Sequence, residues 1–177
     1  MSKYLDRVRK ENKRLAKTVP KRKKAPKVSK AEFNRSWGIP GAYRLRWRGL
    51  RGVVWYFMSR SIRKEEFEEY GGKCVSCPVI LARWEDGQLA HYISVSRSLG
   101  MSLIRKNVAL SCARCNNPTW SPDASIPFGV EIDRRYGNGT ALSLYEQSRK
   151  FNDLPGEIEL LALIEQYRNK EQKDPPQ

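Results

Sequence analysis

Two Cys-x-x-Cys pairs, Cys74-Val-Ser-Cys77 and Cys112-Ala-Arg-Cys115, hold all four cysteines of the chain, with 34 residues between the pairs. A Cys-x-x-Cys turn puts two thiolates on one side of a knuckle, and two knuckles complete the tetrahedral four-sulfur shell that Zn²⁺ prefers. With sulfur at every position no place is left for a reactive water, so one structural Zn²⁺ per chain is expected. In a secreted protein the same residues could form two disulfides, and a redox dithiol is a further alternative; in a reducing compartment clustered cysteines point to the metal. The spacer exceeds the roughly 15 to 20 residues of a plain zinc ribbon, so a further unit is inserted between the knuckles. That insert holds the single histidine, His91, within Leu89-Ala90-His91-Tyr92-Ile93-Ser94. A lone histidine is as a rule a packed or surface residue, but its place between two knuckles singles this one out.

The elements around these residues follow from periodicity and punctuation. A short strand at His91, a loop, a second strand through Val108-Ala109-Leu110, the second knuckle and a short helix make a ββα unit pinned by zinc. Ahead of it, Val53, Val54, Tyr56, Phe57, Ile62 and Phe67 fall largely at helical spacing from Leu50 to Tyr70, and Gly71-Gly72 ends that helix. Behind it, 123–135 is expected to be at best partly helical because Pro127 and Gly129 interrupt it, and Thr140 to Phe151 reads as a helix. A last helix from Leu154 to Lys170 carries the stripe Leu160, Leu163, Ile164 and Tyr167, which either packs on the protein's own core or forms a two-fold interface.

Charge supplies the second theme. The 177 residues carry +15, and residues 1–60 hold 19 Lys/Arg against 3 Asp/Glu while residues 61–177 hold 15 against 16. A pI near 9.9 makes a polyanion the default partner. Residues 1–30, with 13 basic residues and two prolines, have too little apolar surface to offset ordering and read as a disordered basic arm, either a nucleic-acid arm or a solubilising tail. Over 31–52, Trp37, Tyr43, Arg44, Arg46, Trp47, Arg48 and Arg51 interleave rings with guanidinium groups. This suits stacking on bases and contact with phosphates, or equally a helix that buries its tryptophans. Arg60, Arg63, Arg97 and Arg114 extend the set of expected nucleic-acid contacts. No apolar run is long enough to span a membrane and the start lacks a secretory core, so a cytoplasmic protein is expected. The organisation expected is thus a basic arm (1–30), a basic and aromatic helical lead-in (31–72), a zinc-pinned core (73–151) and a C-terminal helix with its tail (152–177).

Several ordered motifs resemble one family. They are Ser61-Ile62-Arg63, Tyr70-Gly71-Gly72-Lys73 leading into Cys74, Ala90-His91-Tyr92-Ile93-Ser94, Asn107-Val108, Cys112-Ala113-Arg114-Cys115-Asn116 and Asp133-Arg134-Arg135-Tyr136-Gly137. In this order they resemble the HNH, or ββα-metal, nucleases, including Holliday-junction resolvases of the endonuclease VII type, and more closely the phage NinG/Rap family of structure-specific recombination endonucleases. The resemblance runs from about Leu50 to Lys150 and leaves out the arm. It implies an α+β fold, a zinc-pinned HNH core flanked by α-helices, and metal-dependent cleavage of branched recombination intermediates such as Holliday junctions and D-loops. It also implies residue roles: His91 as the general base, Asn107 orienting its imidazole through its side-chain amide, and Asn116 holding a catalytic Mg²⁺ or Mn²⁺. Many HNH enzymes place an aspartate where this chain has Ala90, which leaves the second ligand of that ion to Asp86, Glu131 or Asp133. A homodimer and recombination proteins are implied as partners beside DNA. Two alternatives stay open, an HNH enzyme acting on ordinary duplex DNA and a non-catalytic, zinc-containing DNA-binding protein.

Overall fold

The computed structural model describes residues 28–173, and the chain divides into two compact units, one up to Tyr43 and one from Arg44 onward. The basic arm expected over 1–30 therefore lies, up to residue 27, outside the described residues. In the first unit a short helix, α1 (Lys30–Ser36), starts at Ser29, whose hydroxyl accepts the Glu32 N–H. Asn34 is buried and its amide donates to the Tyr43 carbonyl at 2.7 Å, folding the following turn back onto the helix.

The second unit is built around one long helix, α2 (Gly49–Glu69). Its buried residues, from Gly52 to Met58 and on to Ser61, Ile62 and Glu66, run almost all the way round it. A helix apolar on every side must be covered on every side. Strands β1 (Gln88–His91) and β2 (Val108–Ser111) pack on it, and so does the C-terminal helix α5 (Glu157–Lys173), which buries Leu160, Ile164 and Tyr167. The stripe read from the sequence thus packs within its own chain.

β1 and β2 form an antiparallel pair with His91 opposite Val108 and Gln88 opposite Ser111. A two-stranded sheet is marginal alone. Here the first knuckle joins it, the Val75 N–H donating to the Leu110 carbonyl at 2.9 Å, and a core of Val75, Ala90, Ile93, Met101, Phe128 and Ile132 forms around it. Two consecutive left-handed glycines, Gly71 (φ 61°) and Gly72 (φ 70°), turn the chain from α2 into that knuckle. A Cβ on Gly72 would lie 2.7 Å from the Phe67 ring and 2.8 Å from the Leu81 carbonyl, so only glycine fits there.

The segment after the second knuckle departs from expectation. Ser125–Tyr136 is one continuous helix, α3, and Thr140–Lys150 follows as α4. Pro127 stands in the first turn of α3, where an N–H has no helical acceptor to lose. Gly129 lets the helix approach Tyr92, whose hydroxyl a Cβ would meet at 3.2 Å and whose ring at 3.3 Å. Among the described residues no helix is long and apolar enough to cross a membrane.

Candidate metal centre and histidine cavity

The knuckles converge as their spacing requires. The Sγ atoms of Cys74, Cys77, Cys112 and Cys115 all lie within 4.8 Å of one another, a group that could hold a structural metal ion such as zinc. A tetrahedron with Zn–S bonds of about 2.3 Å has edges of about 3.8 Å, and Cys77 and Cys112 already stand 3.8 Å apart. Backbone amides prepare the thiolates: the Cys112 N–H points at the Cys74 sulfur at 3.3 Å, and the Cys115 N–H at the Cys112 sulfur at 3.5 Å. Burial pushes the Cys74 thiol up, but donors from Cys112, Ser76 and Ser111 together bring it down to about 7. Burial and the neighbouring thiols push Cys115 to about 12, a crowding of four sulfurs that a divalent cation relieves.

His91 ends β1, and its surroundings fix both ring nitrogens. The partner of Nε2 is the Ser102 carbonyl, at 3.0 Å. A carbonyl only accepts, so Nε2 carries the proton and Nδ1 keeps its lone pair. The ring lies flat on the Trp55 indole, with centroids 4.8 Å apart and planes 12° apart, and Trp47 is tilted against it at 6.4 Å. Burial drives the imidazole pKa down to about 4, with Arg46 and Arg51 adding to the shift against the Ser102 carbonyl. His91 is therefore neutral at physiological pH.

Asn107 is wholly buried and its side chain is a three-way staple. Its oxygen accepts the Ile93 N–H at 2.7 Å, while its amide donates to the carbonyls of Ile93 and Met101 at 3.1 and 2.9 Å. The side-chain amide of Asn107 is thus spent on backbone and, contrary to expectation, does not meet the imidazole; it fixes Met101, and the carbonyl of the next residue, Ser102, holds the ring. Asn116 follows the second knuckle and donates to the Gln88 side chain. It shares with His91 a cavity of about 250 Å³ whose walls include Arg46, Ala90, Ser94 and Ser125.

The acidic residues considered for a second ion are engaged elsewhere. Asp86 lies in a turn before β1, at the opposite end of the strand from His91, and pairs with Arg83 at 2.9 Å. Glu131 is held at about 2 by hydrogen bonds from Arg134 and Arg135, and Asp133 accepts the Ala141 N–H at the start of α4. None of the three lines the cavity, and no Asp or Glu among the described residues does. A larger cleft of about 680 Å³ opens between the first knuckle and α3, lined by Pro78, Ile126 and Val130 among others, but neither His91 nor Asn116 reaches it.

The arginines expected to meet nucleic acid divide into two groups. Arg44, Arg46, Arg48, Arg97 and Arg114 are exposed, with Arg97 over Tyr145 at 4.2 Å. Arg60 pairs with Glu171, Arg63 donates to the Gly87 carbonyl and packs on Trp84, and Arg51 donates to the Ser102 hydroxyl. These three support the scaffold. One residue that sequence patterning does not mark proves central. Glu66, fully buried in α2, accepts from Arg105 at 2.9 Å, from Arg135 at 3.0 Å and from the Leu110 N–H at 2.7 Å, tying α2, β2 and α3 together.

Compared with known family models, curated proteins and solved structures, the chain matches none of them.

Proposed function

We propose that this protein is a structure-specific DNA endonuclease of the HNH type, similar to the NinG/Rap family, that cuts branched recombination intermediates. The observation that carries the reading is His91, a neutral imidazole with Nε2–H spent on a backbone carbonyl and Nδ1 left as a base, on a hairpin braced by four clustered cysteines. In this reading Nδ1 takes a proton from water, the resulting hydroxide attacks phosphorus, and the 3′ oxygen leaves and is protonated by solvent. Asn107 keeps the loop that holds the ring in register. The cysteines hold one structural Zn²⁺. A catalytic Mg²⁺ or Mn²⁺ belongs to the resemblance, with the Asn116 side-chain oxygen as its protein ligand, but the cavity offers no carboxylate and fits such an ion poorly. Exposed arginines grip the backbone, and the branch is recognised by shape and charge more than by base edges. A homodimer acting on the two strands of a symmetric junction, and recombination proteins of the host cytoplasm, complete the proposal.

The carboxylate-free cavity also favours a second reading, a zinc-containing DNA-binding protein that does not cut. A labelled four-way junction beside its linear duplex arms, with Mg²⁺, Mn²⁺ or neither, separates the readings. Cutting of the junction alone, leaving 5′-phosphate and 3′-hydroxyl ends, supports the first. Equal cutting of both substrates makes the protein a general duplex nuclease, and tight binding without cutting supports the second.

A further inference from the structure

We infer that Arg46 is the group that grips the reacting phosphodiester in the His91 cavity, as a protein-borne cation where a carboxylate-held metal would otherwise stand; this rests on reading that cavity as a phosphodiester site. Arg46 lines the cavity beside His91 and Asn116. Its guanidinium lies 5.2 Å from the Trp47 ring and 5.2 Å from the Trp55 ring, so the indoles that pack His91 also brace the cation. A second guanidinium, Arg51, sits 3.7 Å over Trp47 and is tied to the Ser102 hydroxyl, with its Nε buried and unpartnered. Arg46 is thus the member of the pair left to face a ligand.

Charge balance points the same way. Arg60, Arg83, Arg105, Arg134 and Arg135 each meet a carboxylate, whereas among the described residues neither Arg46 nor Arg51 does. Burial lowers the pKa of both, and Arg46 lowers that of Arg51 further, the mark of two like charges with no counter-ion between them. His91 is neutral and adds no negative charge. Arg46, a cation on the wall of the cavity with no carboxylate beside it, leaves one partner missing, an anion, and its planar fork matches the two free oxygens of a phosphodiester.

Dimethyl phosphate, a phosphodiester with neither base nor sugar, is the probe. It is titrated into the zinc-loaded full-length protein in buffer freed of Mg²⁺ and Mn²⁺, with the indole N–H and arginine Nε–H signals followed by NMR. Saturable shifts of Trp47, Trp55 and Arg46, absent in Arg46→Ala, are expected. Arg46→Lys, which keeps the charge and loses the fork, should bind more weakly than wild type. In a junction-cleavage assay Arg46→Ala should lower the single-turnover rate by roughly 100-fold or more, while Lys150→Ala, an exposed cation at the end of α4, stays within a few fold. Absence of saturable shifts, shifts that persist in Arg46→Ala, or shifts that require Mg²⁺ would overturn the assignment. A wild-type protein that binds dimethyl phosphate through Arg46 but cuts no junction would instead sink the nuclease reading and leave the phosphate site standing.

Discussion

A histidine with one nitrogen spent on a carbonyl and its face covered by an indole has a single nitrogen to offer, and its environment decides at what pH that nitrogen is free. For His91 the value is about 4. Activity that needs the neutral ring should rise through about pH 4 and stay flat above it. Single-turnover cleavage at pH 5.5 should then nearly equal that at pH 7.5, whereas a base with an unperturbed pKa of about 6.5 would lose about tenfold. Stability follows with its own sign. The folded pKa is depressed below the unfolded one, so the native state binds fewer protons between about 4 and about 6.5, and stability is lost as pH falls through that window. Urea unfolding should show about 2 kcal/mol less stability at pH 5 than at pH 7.5, a difference that His91→Gln removes. The histidine and its partners were only partly legible in the sequence. Its position between the knuckles marked it, but nothing in the letters tells which carbonyl its Nε2 will find, since Ser102 lies in a short 3₁₀ turn. For the same reason Asn107 reads as a direct partner of the ring, while the structure spends its amide on Ile93 and Met101.

Each element here is held by chemistry at its ends more than by its own length. The hairpin is four residues a strand, and the knuckles brace it, the Val75 N–H on the Leu110 carbonyl and the Cys112 N–H on the Cys74 sulfur. Removing the metal with a strong chelator, or Cys112→Ser, should therefore abolish cooperative melting of the core and not merely slow a reaction; a variant with an unchanged Tm would remove the structural-metal claim. Glu66 plays the same bracing part between α2, β2 and α3. Glu66→Ala should cost about 3 to 5 kcal/mol in denaturant unfolding, because Arg105 and Arg135 stay behind without their buried counter-charge. Spacing made the cysteine cluster and the long helix readable in advance. Glu66 was not readable, because it stands in the run Lys64-Glu65-Glu66-Phe67-Glu68-Glu69, which looks like a solvated charged face. Nor is the continuity of α3 readable, because Pro127 breaks a helix only beyond its first turn, and a sequence does not mark where the first turn falls.

At the scale of the molecule, charge and architecture are separable. The excess positive charge belongs to residues 1–60, and residues 61–177, which hold the four-cysteine cluster, are nearly balanced. Deleting residues 1–27 should weaken binding to every DNA and flatten the dependence of affinity on salt, because fewer phosphates are neutralised and fewer counter-ions leave the duplex on binding. The preference for a branch, expressed as a ratio of junction to duplex affinity, should survive the deletion. An unchanged salt slope would make those residues a bystander to binding. The tryptophans illustrate how far composition reaches. Interleaved Trp and Arg read equally as base-stacking surface or as buried helix face, and the structure divides them, Trp37 and Trp47 half-buried, Trp47 against His91, and Arg44, Arg46 and Arg48 exposed.

The measurement closest to the central claim is single-turnover cleavage of a labelled four-way junction by wild type and by zinc-loaded His91→Ala, with Tm and zinc content matched between them. The substitution is expected to slow the wild-type reaction by at least about 100-fold with junction affinity nearly unchanged. Cleavage that survives His91→Ala would remove His91 as the base, and a wild-type protein that binds the junction and never cuts it would remove the endonuclease itself.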